Sequence, residues 1–503
     1  MAQSTSLKPL WDGFAYKTHQ IDGVEWMIKR EDSEFPGGLL CDEMGLGKTM
    51  EILGLVKNSK KHNTLILCPK AVIMQWCVAA EKSSFNVFRL EPQGWQMASA
   101  YHSGQPFIFV TNYEKLQKKS FFERPWDRVV LDEAHRAKRK RGLIWTSVQA
   151  MERKATWCVT ATPVVNGLVD IRNLFQLIGH DPIELTRHEY LYEKVMTESC
   201  LHRSMDEMRP IITELPAAPL IQKESLDFAT SEEADFYRGI QGKILRRWKA
   251  LESDVTPFKL SLINRLRQLS LHPQVYINAR RKGSVFYDRE DWEGSSTKFS
   301  ALRAKLEDPN VAPARWIVFC QFHDEIDILS AYLEKSKNID LIQHYDGRLN
   351  DAEKEAVLEA TKTPLTDKHQ ILLLQLQSGG VGLNLQHFTK IVFMSPWWTA
   401  ALMDQAVGRA VRIGQAEIVE VTMFVLKEEE VDDMMNVDMR MLDKVDMKRG
   451  VLQNLFTVAA RGIDKVGAPI ASAQEGQGGQ EAQEAQEGQE AQEGQEEEGE
   501  DPV

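Results

Sequence analysis

Residues 42–49 place two glycines ahead of a lysine and a threonine, an order suited to holding phosphate. They read Asp42-Glu43-Met44-Gly45-Leu46-Gly47-Lys48-Thr49, between the apolar run Gly38-Leu39-Leu40-Cys41 and the helix-like stretch Met50-Glu51-Ile52-Leu53. Glycines let backbone N–H groups close around phosphate oxygens, and a helix start adds partial positive charge. We therefore expect Lys48 to reach the β- and γ-phosphates and the Thr49 hydroxyl to hold Mg²⁺. The alternative is a glycine-rich turn with an ordinary surface lysine. The general pattern has glycine where this chain has Asp42.

Two adjacent carboxylates follow a strand-like apolar run further along the chain. Residues 128–135 read Arg128-Val129-Val130-Leu131-Asp132-Glu133-Ala134-His135. In open α/β sheets, ligands bind at the carboxyl ends of the strands. Asp132 is therefore predicted to hold Mg²⁺, and Glu133 to orient or deprotonate an attacking water. The alternative is a capped strand end with no chemical role.

Two arginines near the end of the apolar part of the chain are candidates for phosphoryl-transfer chemistry. They lie in Asp404-Gln405-Ala406-Val407-Gly408-Arg409-Ala410-Val411-Arg412-Ile413-Gly414-Gln415. Residues three apart share one face of a helix, so Arg409 and Arg412 are predicted to point the same way. From a second domain they could enter the nucleotide site across a cleft and stabilise transition-state charge. The alternative is a solvated basic helix face.

The elements that must position these residues are short, non-alternating apolar runs separated by helix-like segments. The runs are 64–68, 107–110, 129–131 and 157–159, followed by 316–320, 371–374 and 391–394. Such runs are typical of parallel strands covered on both faces. The predicted fold class is α/β, with a first lobe at 1–180 and a second at 291–450. A mostly helical insertion or connector spans 181–290, and a C-terminal extension spans 451–503.

Length and composition indicate an intracellular, soluble protein of two or three domains. The chain has 503 residues, of which 43% are apolar, enough to fill real cores. No apolar run approaches the length of a transmembrane helix, and the first residues lack a signal-peptide core. The six cysteines form no C-x-x-C pair, so we expect buried thiols and no structural zinc. They are Cys41, Cys68, Cys77, Cys158, Cys200 and Cys320.

The acidic charge is concentrated at the C-terminus. The whole chain carries −12, and residues 466–503, with ten Glu, one Asp and no Lys or Arg, account for −11 of it. The near-neutral remainder can therefore carry a basic groove for nucleic acid. Residues 471–503 repeat Gln-Glu-Gly and Gln-Glu-Ala, which predicts a disordered tail. The basic segment 136–141 has three interpretations: a DNA-groove lining, a nuclear-localisation patch or a solvated loop.

Further segments occur in a consistent order along residues 10–450. They are Thr18-His19-Gln20-Ile21-Asp22-Gly23-Val24-Glu25-Trp26, Leu67-Cys68-Pro69-Lys70 with Gln75-Trp76, Thr160-Ala161-Thr162-Pro163 with Asn166, the stretch 263–273, Gly379-Gly380-Val381-Gly382-Leu383-Asn384-Leu385, and Ser395-Pro396-Trp397-Trp398. Together with Asp132-Glu133-Ala134-His135, a DEAH box, they resemble the motifs of Swi/Snf-type ATPases of helicase superfamily two. The similarity is to the repair-type subgroup, without its ubiquitin-ligase insertion. Two departures are Ala161, where many members have glycine, and Gln375-Leu376-Gln377 before the double glycine.

The resemblance implies two RecA-like lobes that hydrolyse ATP with Mg²⁺ and step along double-stranded DNA. It assigns adenine contact to Gln20, accounts for Asp42 in the loop, and includes Glu43, Met44, Gly45, Leu46 and Gly47 among the nucleotide-binding residues. Gln405, Arg409, Arg412 and Gln415 complete the final motif, with Gln405 also on the nucleotide. The segment with Gln75-Trp76 is implied to touch the nucleic-acid backbone. The implied partners are duplex DNA and DNA-bound proteins such as nucleosomes, with no membrane, and the implied location is the nucleus of a eukaryotic cell or virus host.

Two other functions stay open from the sequence. An RNA-dependent helicase is compatible with the acidic box, although the Arg409-to-Gln415 ending and Leu266-Arg267-Gln268 favour the DNA class. A non-catalytic scaffold on an ATPase fold is opposed by the intact Lys48, Asp132 and Glu133, and by both arginines. The biological process, whether remodelling, repair or transcription-linked removal of proteins from DNA, is not indicated.

Overall fold

The computed structural model describes residues 7–117, 124–165, 167–250, 257–284, 286–378, 383–427 and 436–461. Three predictions fall outside the described residues: Asn166, the glycine turn 379–382 and the acidic tail. The chain divides into two compact units. Of the described residues, the first unit contains 7–216, Arg412–Gly414 and 449–461, and the second contains Ala217–Val411 and Gln415–Lys448. The domain boundaries expected at 180, 290 and 450 stay predictions.

The first unit is built on a sheet whose strand order is β4-β3-β5-β2-β6-β7-β1-β8. The strands are β1 (Gly37–Leu40), β2 (Asn63–Cys68), β3 (Asn86–Glu91), β4 (Gly94–Met97), β5 (Phe107–Asn112), β6 (Arg128–Asp132), β7 (Thr156–Val159) and β8 (Cys200–Leu201). The strands expected from the apolar runs at 64–68, 107–110, 129–131 and 157–159 are confirmed. The predicted α/β fold with a parallel sheet is confirmed, and at one edge two strands that the apolar runs did not predict, β3 and β4, pair antiparallel. Only two residues separate them, and Gly94 at φ 118° turns the chain back.

Helices cover both faces of this sheet. They are α1 (Thr18–Arg30), α2 (Lys48–Asn58), α3 (Ile73–Lys82), α4 (Leu143–Ala150), α5 (Leu168–Ile178), α6 (Pro182–Arg187), α7 (Glu189–Ser199) and α8 (Met205–Met208), with 3₁₀ turns at Lys70–Val72, Tyr113–Gln117 and Ala134–Ala137. Successive strand residues point to opposite faces, so Leu39 joins one apolar cluster and Leu40 the other. The sheet is therefore buried on both sides, as its non-alternating apolar runs predict.

The second unit contains a parallel sheet of order β11-β12-β10-β13-β14-β9. Its strands are β9 (Leu220–Leu226), β10 (Arg315–Cys320), β11 (Ile339–Tyr345), β12 (His369–Gln375), β13 (Lys390–Phe393) and β14 (Glu420–Leu426). The strands expected at 316–320, 371–374 and 391–394 are confirmed. Its helices are α9 (Ser231–Lys249), α10 (Pro257–Leu271), α11 (Pro273–Lys282), α12 (Thr297–Glu307), α13 (His323–Leu333), α14 (Asp351–Ala360) and α15 (Ala400–Val407). A last helix, α16, spans Val437–Arg461, of which residues 437–448 belong to the second unit and 449–461 to the first.

Two further expectations can be compared with the fold. All six cysteines are free and buried, which confirms their assignment as core residues. Among the described residues, no helix is both long and apolar enough to cross a lipid bilayer. The described part of 181–290 is mostly helical, but it also supplies β8 to the first sheet and β9 to the second.

Candidate nucleotide-binding site

The glycine-rich loop 42–49, here called the nucleotide loop, joins the carboxyl end of β1 to the start of α2. Gly45 and Gly47 adopt φ of 92° and 87°, a left-handed conformation that favours glycine. A Cβ on Gly47 would also lie 2.4 Å from Gln20 Nε2. Two observations therefore favour glycine at position 47: the left-handed backbone, and the short distance between the Gln20 amide and the site of a Cβ atom.

Lys48 and Thr49 lie in the first turn of α2, where backbone N–H groups face away from the helix. The Lys48 ammonium folds back over the loop and donates to the carbonyls of Asp42 (2.6 Å) and Glu43 (3.1 Å). Met44 and Thr49 are partly exposed in the same turn. A cation beside the N-terminus of a helix is a suitable environment for an anion such as phosphate.

Two side chains of α1 bind the nucleotide loop from the side. His19 Nε2 and Gln20 Nε2 both contact the Leu46 carbonyl, at 2.8 and 3.2 Å, and Gln20 Oε1 accepts from Lys17 N at 3.0 Å. Gln20 is therefore fixed against the loop, which places its amide beside the candidate nucleotide position. Its contact with adenine stays a prediction. No sequence pattern indicated the His19 contact.

Asp132 ends β6, and its carboxylate is held in place by two donors. Trp76 Nε1 donates to Oδ2 at 2.8 Å, and the Glu133 N–H donates to Oδ1 at 3.1 Å. Desolvation, reinforced by the charge of Glu133, raises the pKa of Asp132 to about 6, while the Trp76 bond and the Lys48 charge oppose that rise. The loop follows β1 and Asp132 ends β6, and these parallel strands are separated only by β7, so loop and carboxylate lie at the same edge of the sheet.

Glu133 occupies a strained position next to that carboxylate. Its φ of 53° and ψ of 51° are left-handed, a conformation that costs a non-glycine residue about 1–3 kcal/mol. Its Oε2 lies 3.4 Å from His135 Nδ1, which is also 3.2 Å from Thr160 Oγ1. Strain of this kind is concentrated at functional sites.

Trp76 has a role that the sequence did not indicate. The resemblance assigns its segment to nucleic-acid backbone contact, yet the Trp76 ring is only 2% exposed and its donor is bonded to Asp132. No spacing rule connects a tryptophan on α3 with a carboxylate at the end of β6. The one available signal is that a buried indole needs a hydrogen-bond acceptor.

Arg203 is a second residue that the sequence analysis missed. It follows β8 and donates through Nε to Asp42 Oδ1 and Oδ2 at 3.1 and 2.9 Å, and through Nη2 to Glu51 Oε1 at 2.5 Å. Both acids are completely buried. Asp42, the residue that breaks the general glycine pattern, is therefore an ion-pair partner at the start of the nucleotide loop.

Arg409 and Arg412 do not share a helix face, so the prediction made from their spacing is wrong. Helix α15 ends at Val407 with Gly408 as its C-cap, so Arg409 and Arg412 lie in the turns that follow. Glycine is a poor helix former and suits such an end. Arg409 is 5% exposed and Gln405 is 8% exposed. Burial lowers the pKa of Arg412. Gln415 Nε2 donates to the Gln386 carbonyl at 2.7 Å.

The arrangement in the first unit fits a magnesium nucleotide. The loop offers left-handed glycines, an ammonium and a helix start, which suit phosphate. The Thr49 hydroxyl and Asp132 carboxylate are oxygen ligands of the type that Mg²⁺ prefers. Gln20, the nucleotide loop and Asp132 are thus gathered at one edge of one sheet.

Comparisons with known proteins agree with this geometry. The model of the SNF2-related domain matches residues 19–303, and that of the helicase conserved C-terminal domain matches 297–414. A protein described as "Probable global transactivator", from Orgyia pseudotsugata multicapsid polyhedrosis virus, is 26% identical over 443 residues, covering 82% of this chain and 86% of that protein. "DNA repair protein RAD5" of Candida albicans is 24% identical, covering 78% of this chain and 54% of its own length.

A mouse relative extends the comparison. It is described as "SWI/SNF-related matrix-associated actin-dependent regulator of chromatin subfamily A member 1" and is 25% identical, covering 88% of this chain and 44% of its own length. The chain therefore spans most of the viral relative but only about half of the yeast and mouse proteins.

Proposed function

The chain belongs to the SNF2-related family, and we propose that it is an ATPase that uses hydrolysis to move along double-stranded DNA. The observation that supports the proposal is that the Lys48 loop and the Asp132 carboxylate follow two parallel strands, β1 and β6, that are separated only by β7. Remodelling of protein–DNA complexes is the proposed result of that movement.

The residues of the first unit have distinct proposed tasks. The N–H groups around Gly45 and Gly47 bind phosphate oxygens, and Lys48 exchanges its bonds to the Asp42 and Glu43 carbonyls for bonds to phosphate. Thr49 and Asp132 hold Mg²⁺. When bound, ATP with Mg²⁺ supplies the phosphoryl group whose transfer to water drives the motor.

Glu133 is proposed to orient or deprotonate the attacking water. Its backbone is left-handed, and its Oε2 lies 3.4 Å from His135 Nδ1, so a second polar group is adjacent to the carboxylate. Gln20 is proposed to contact the adenine. Arg409 and Arg412 are proposed as the arginines that stabilise charge during phosphoryl transfer, with Gln405 as a further nucleotide contact.

DNA is the proposed partner for two reasons. The names of two relatives refer to DNA repair and to chromatin. In addition, Lys140 and Arg141 of the basic segment are exposed, so their charge is available to a phosphate backbone. DNA-bound proteins, nucleosomes among them, are proposed as what the motor acts on, and a nuclear location in a eukaryotic cell or virus host follows from that proposal.

The test is ATP turnover by the full chain alone, with duplex DNA and with single-stranded RNA. We expect stimulation by duplex DNA and loss of turnover in Lys48→Ala. Lys57→Ala is the matched control, because Lys57 lies on the same helix but donates to the Ser83 carbonyl. Stimulation by RNA alone would favour the RNA-helicase alternative, and absence of ATP binding would favour the scaffold.

A further inference from the structure

A buried ion-pair cluster surrounds the nucleotide loop, and its cation comes from outside the motifs considered so far. The segment after β8 runs beside the start of the loop, in continuation of the parallel pairing of β8 with β1. The Glu43 N–H donates to the Arg203 carbonyl at 3.0 Å, and the Met205 N–H donates to Glu43 Oε2 at 2.7 Å. The backbone therefore fixes Arg203 beside the loop independently of its side chain.

The Arg203 guanidinium joins three separate segments. Besides its bonds to Asp42 and Glu51, its Nη1 donates to the His19 carbonyl. Asp42 is at the start of the nucleotide loop, Glu51 is in the first turn of α2 just after the loop, and His19 is on α1. One side chain thus spans both ends of the phosphate-binding turn and the helix that carries Gln20.

The Arg203 guanidinium compensates the two acidic side chains that it contacts, Asp42 and Glu51. Asp42 and Glu51 are both 0% exposed and share Arg203 as a partner, so this cation offsets the cost of burying two acidic side chains close together. The planar guanidinium can serve both acids at once, which the single ammonium of lysine does less well. Without Arg203, the two ends of the loop would separate, or water would enter between them.

The packing of α1 is adapted to the same cluster. A Cβ on Gly23 would lie 2.1 Å from Glu51 Oε1 and 3.1 Å from Arg203 Nη2. Gly23 is inside α1, where glycine costs helix stability. Its presence allows α1 to approach the ion pair, and so brings Gln20 against the nucleotide loop.

We propose that Arg203 is a positioning residue that holds the nucleotide loop in its phosphate-binding shape. This inference rests on the proposed function, because it assumes that the loop binds ATP. Arg203 contacts the loop and not the reacting groups, so its loss weakens contacts that serve bound ATP and the transition state alike. Such a loss raises KM and the dissociation constant for ATP while kcat changes little.

The experiment compares Arg203→Gln and Arg203→Lys with Arg128→Gln in the full chain. Arg128 is the matched control: it is fully buried, it pairs with Glu31 at 2.6 Å, and it lies at the opposite, amino end of its strand. ATP affinity is measured by equilibrium titration, kcat and KM by turnover, and folding by the unfolding midpoint. We expect about a tenfold weaker ATP affinity or more in Arg203→Gln and a smaller loss in Arg203→Lys, with kcat within about threefold. Arg128→Gln lowers the unfolding midpoint but leaves the affinity of the folded protein unchanged.

A second pair of variants keeps the test decisive should Arg203→Gln not fold. Gly23→Ala forces a methyl group against the ion pair and is expected to weaken ATP binding several-fold, although alanine favours helix. Gly239→Ala on α9 is the control, since nothing lies within 4 Å of its Cβ position. If the unaltered chain binds no ATP, the proposed function fails. If it binds ATP and neither Arg203→Gln nor Gly23→Ala changes the affinity, the positioning role of Arg203 is overturned.

Discussion

The bond from Trp76 to Asp132 gives the most specific prediction about the candidate metal position. Trp76→Phe keeps an aromatic ring in a site that is 2% exposed, and removes the donor that lies 2.8 Å from Asp132 Oδ2. The carboxylate then keeps one bond, from the Glu133 N–H at 3.1 Å. We expect the Asp132 carboxylate to become more mobile, because it loses one of its two positioning bonds. We also expect it to be protonated more readily, because a lost donor disfavours the ionised form that binds metal.

The size of the effect follows from the kind of bond that is lost. A hydrogen bond to a charged group contributes about 1.5–3 kcal/mol. At about 1.36 kcal/mol per tenfold change, full expression of that energy in Mg²⁺ binding corresponds to between about 10- and 150-fold. Because the bond from the Glu133 N–H remains, we expect the lower end of this range. The Mg²⁺ concentration that half-saturates ATP turnover should therefore rise about tenfold.

The assay is ATP turnover as a function of Mg²⁺ at fixed ATP, for the unaltered chain, Trp76→Phe and Trp145→Phe. Trp145 is the matched control, since it is a buried tryptophan of the same unit whose Nε1 donates to the Asn173 carbonyl at 3.2 Å. Excess Mg²⁺ should restore most of the turnover of Trp76→Phe, and Trp145→Phe should have an unchanged Mg²⁺ dependence. Identical Mg²⁺ curves for all three chains would refute the orienting role of Trp76.

Two further predictions concern the loop and the second unit. Gly47→Ala should abolish measurable ATP binding, because its Cβ would lie 2.4 Å from Gln20 Nε2 and φ is 87°; equilibrium titration checks this, and normal affinity would contradict it. His272 is 3% exposed, its Nδ1 accepts the Gln274 N–H at 3.0 Å, and burial lowers its pKa to about 4. Since this pKa lies below the unfolded value of about 6.5, the stability contributed by the neutral ring is present above pH 6.5 and is lost towards pH 4, by up to about 3 kcal/mol. His272→Asn keeps a capping side chain that does not titrate. The free energy of unfolding, measured with urea, should therefore fall more steeply between pH 6.5 and pH 4 in the unaltered chain than in His272→Asn. An equal fall in both chains would count against this role of His272.

Much of the fold was predictable because it depends on local pattern. Apolar, β-branched runs such as Val129–Leu131 can be buried only as central strands, and the structure has a strand at each predicted run. The nucleotide loop was also predictable, since the glycines at 45 and 47 meet a local backbone requirement. Both features can be derived from residues that are neighbours in the chain.

The features that were missed depend on contacts between distant residues. Arg203 lies 161 residues from Asp42, and Trp76 lies 56 residues from Asp132. No periodicity links such pairs, and only the sheet order brings them together. The expected helix through Arg409 and Arg412 failed for a local reason, because Gly408 ends α15.

The central claim is that the Lys48 loop powers a motor that depends on duplex DNA. Its most direct test is steady-state ATP turnover by the full chain with and without duplex DNA, alongside Lys48→Ala. We expect turnover to rise when duplex DNA is added and to be absent from Lys48→Ala under either condition. Turnover that is equal with and without duplex DNA, or that survives in Lys48→Ala, would contradict it.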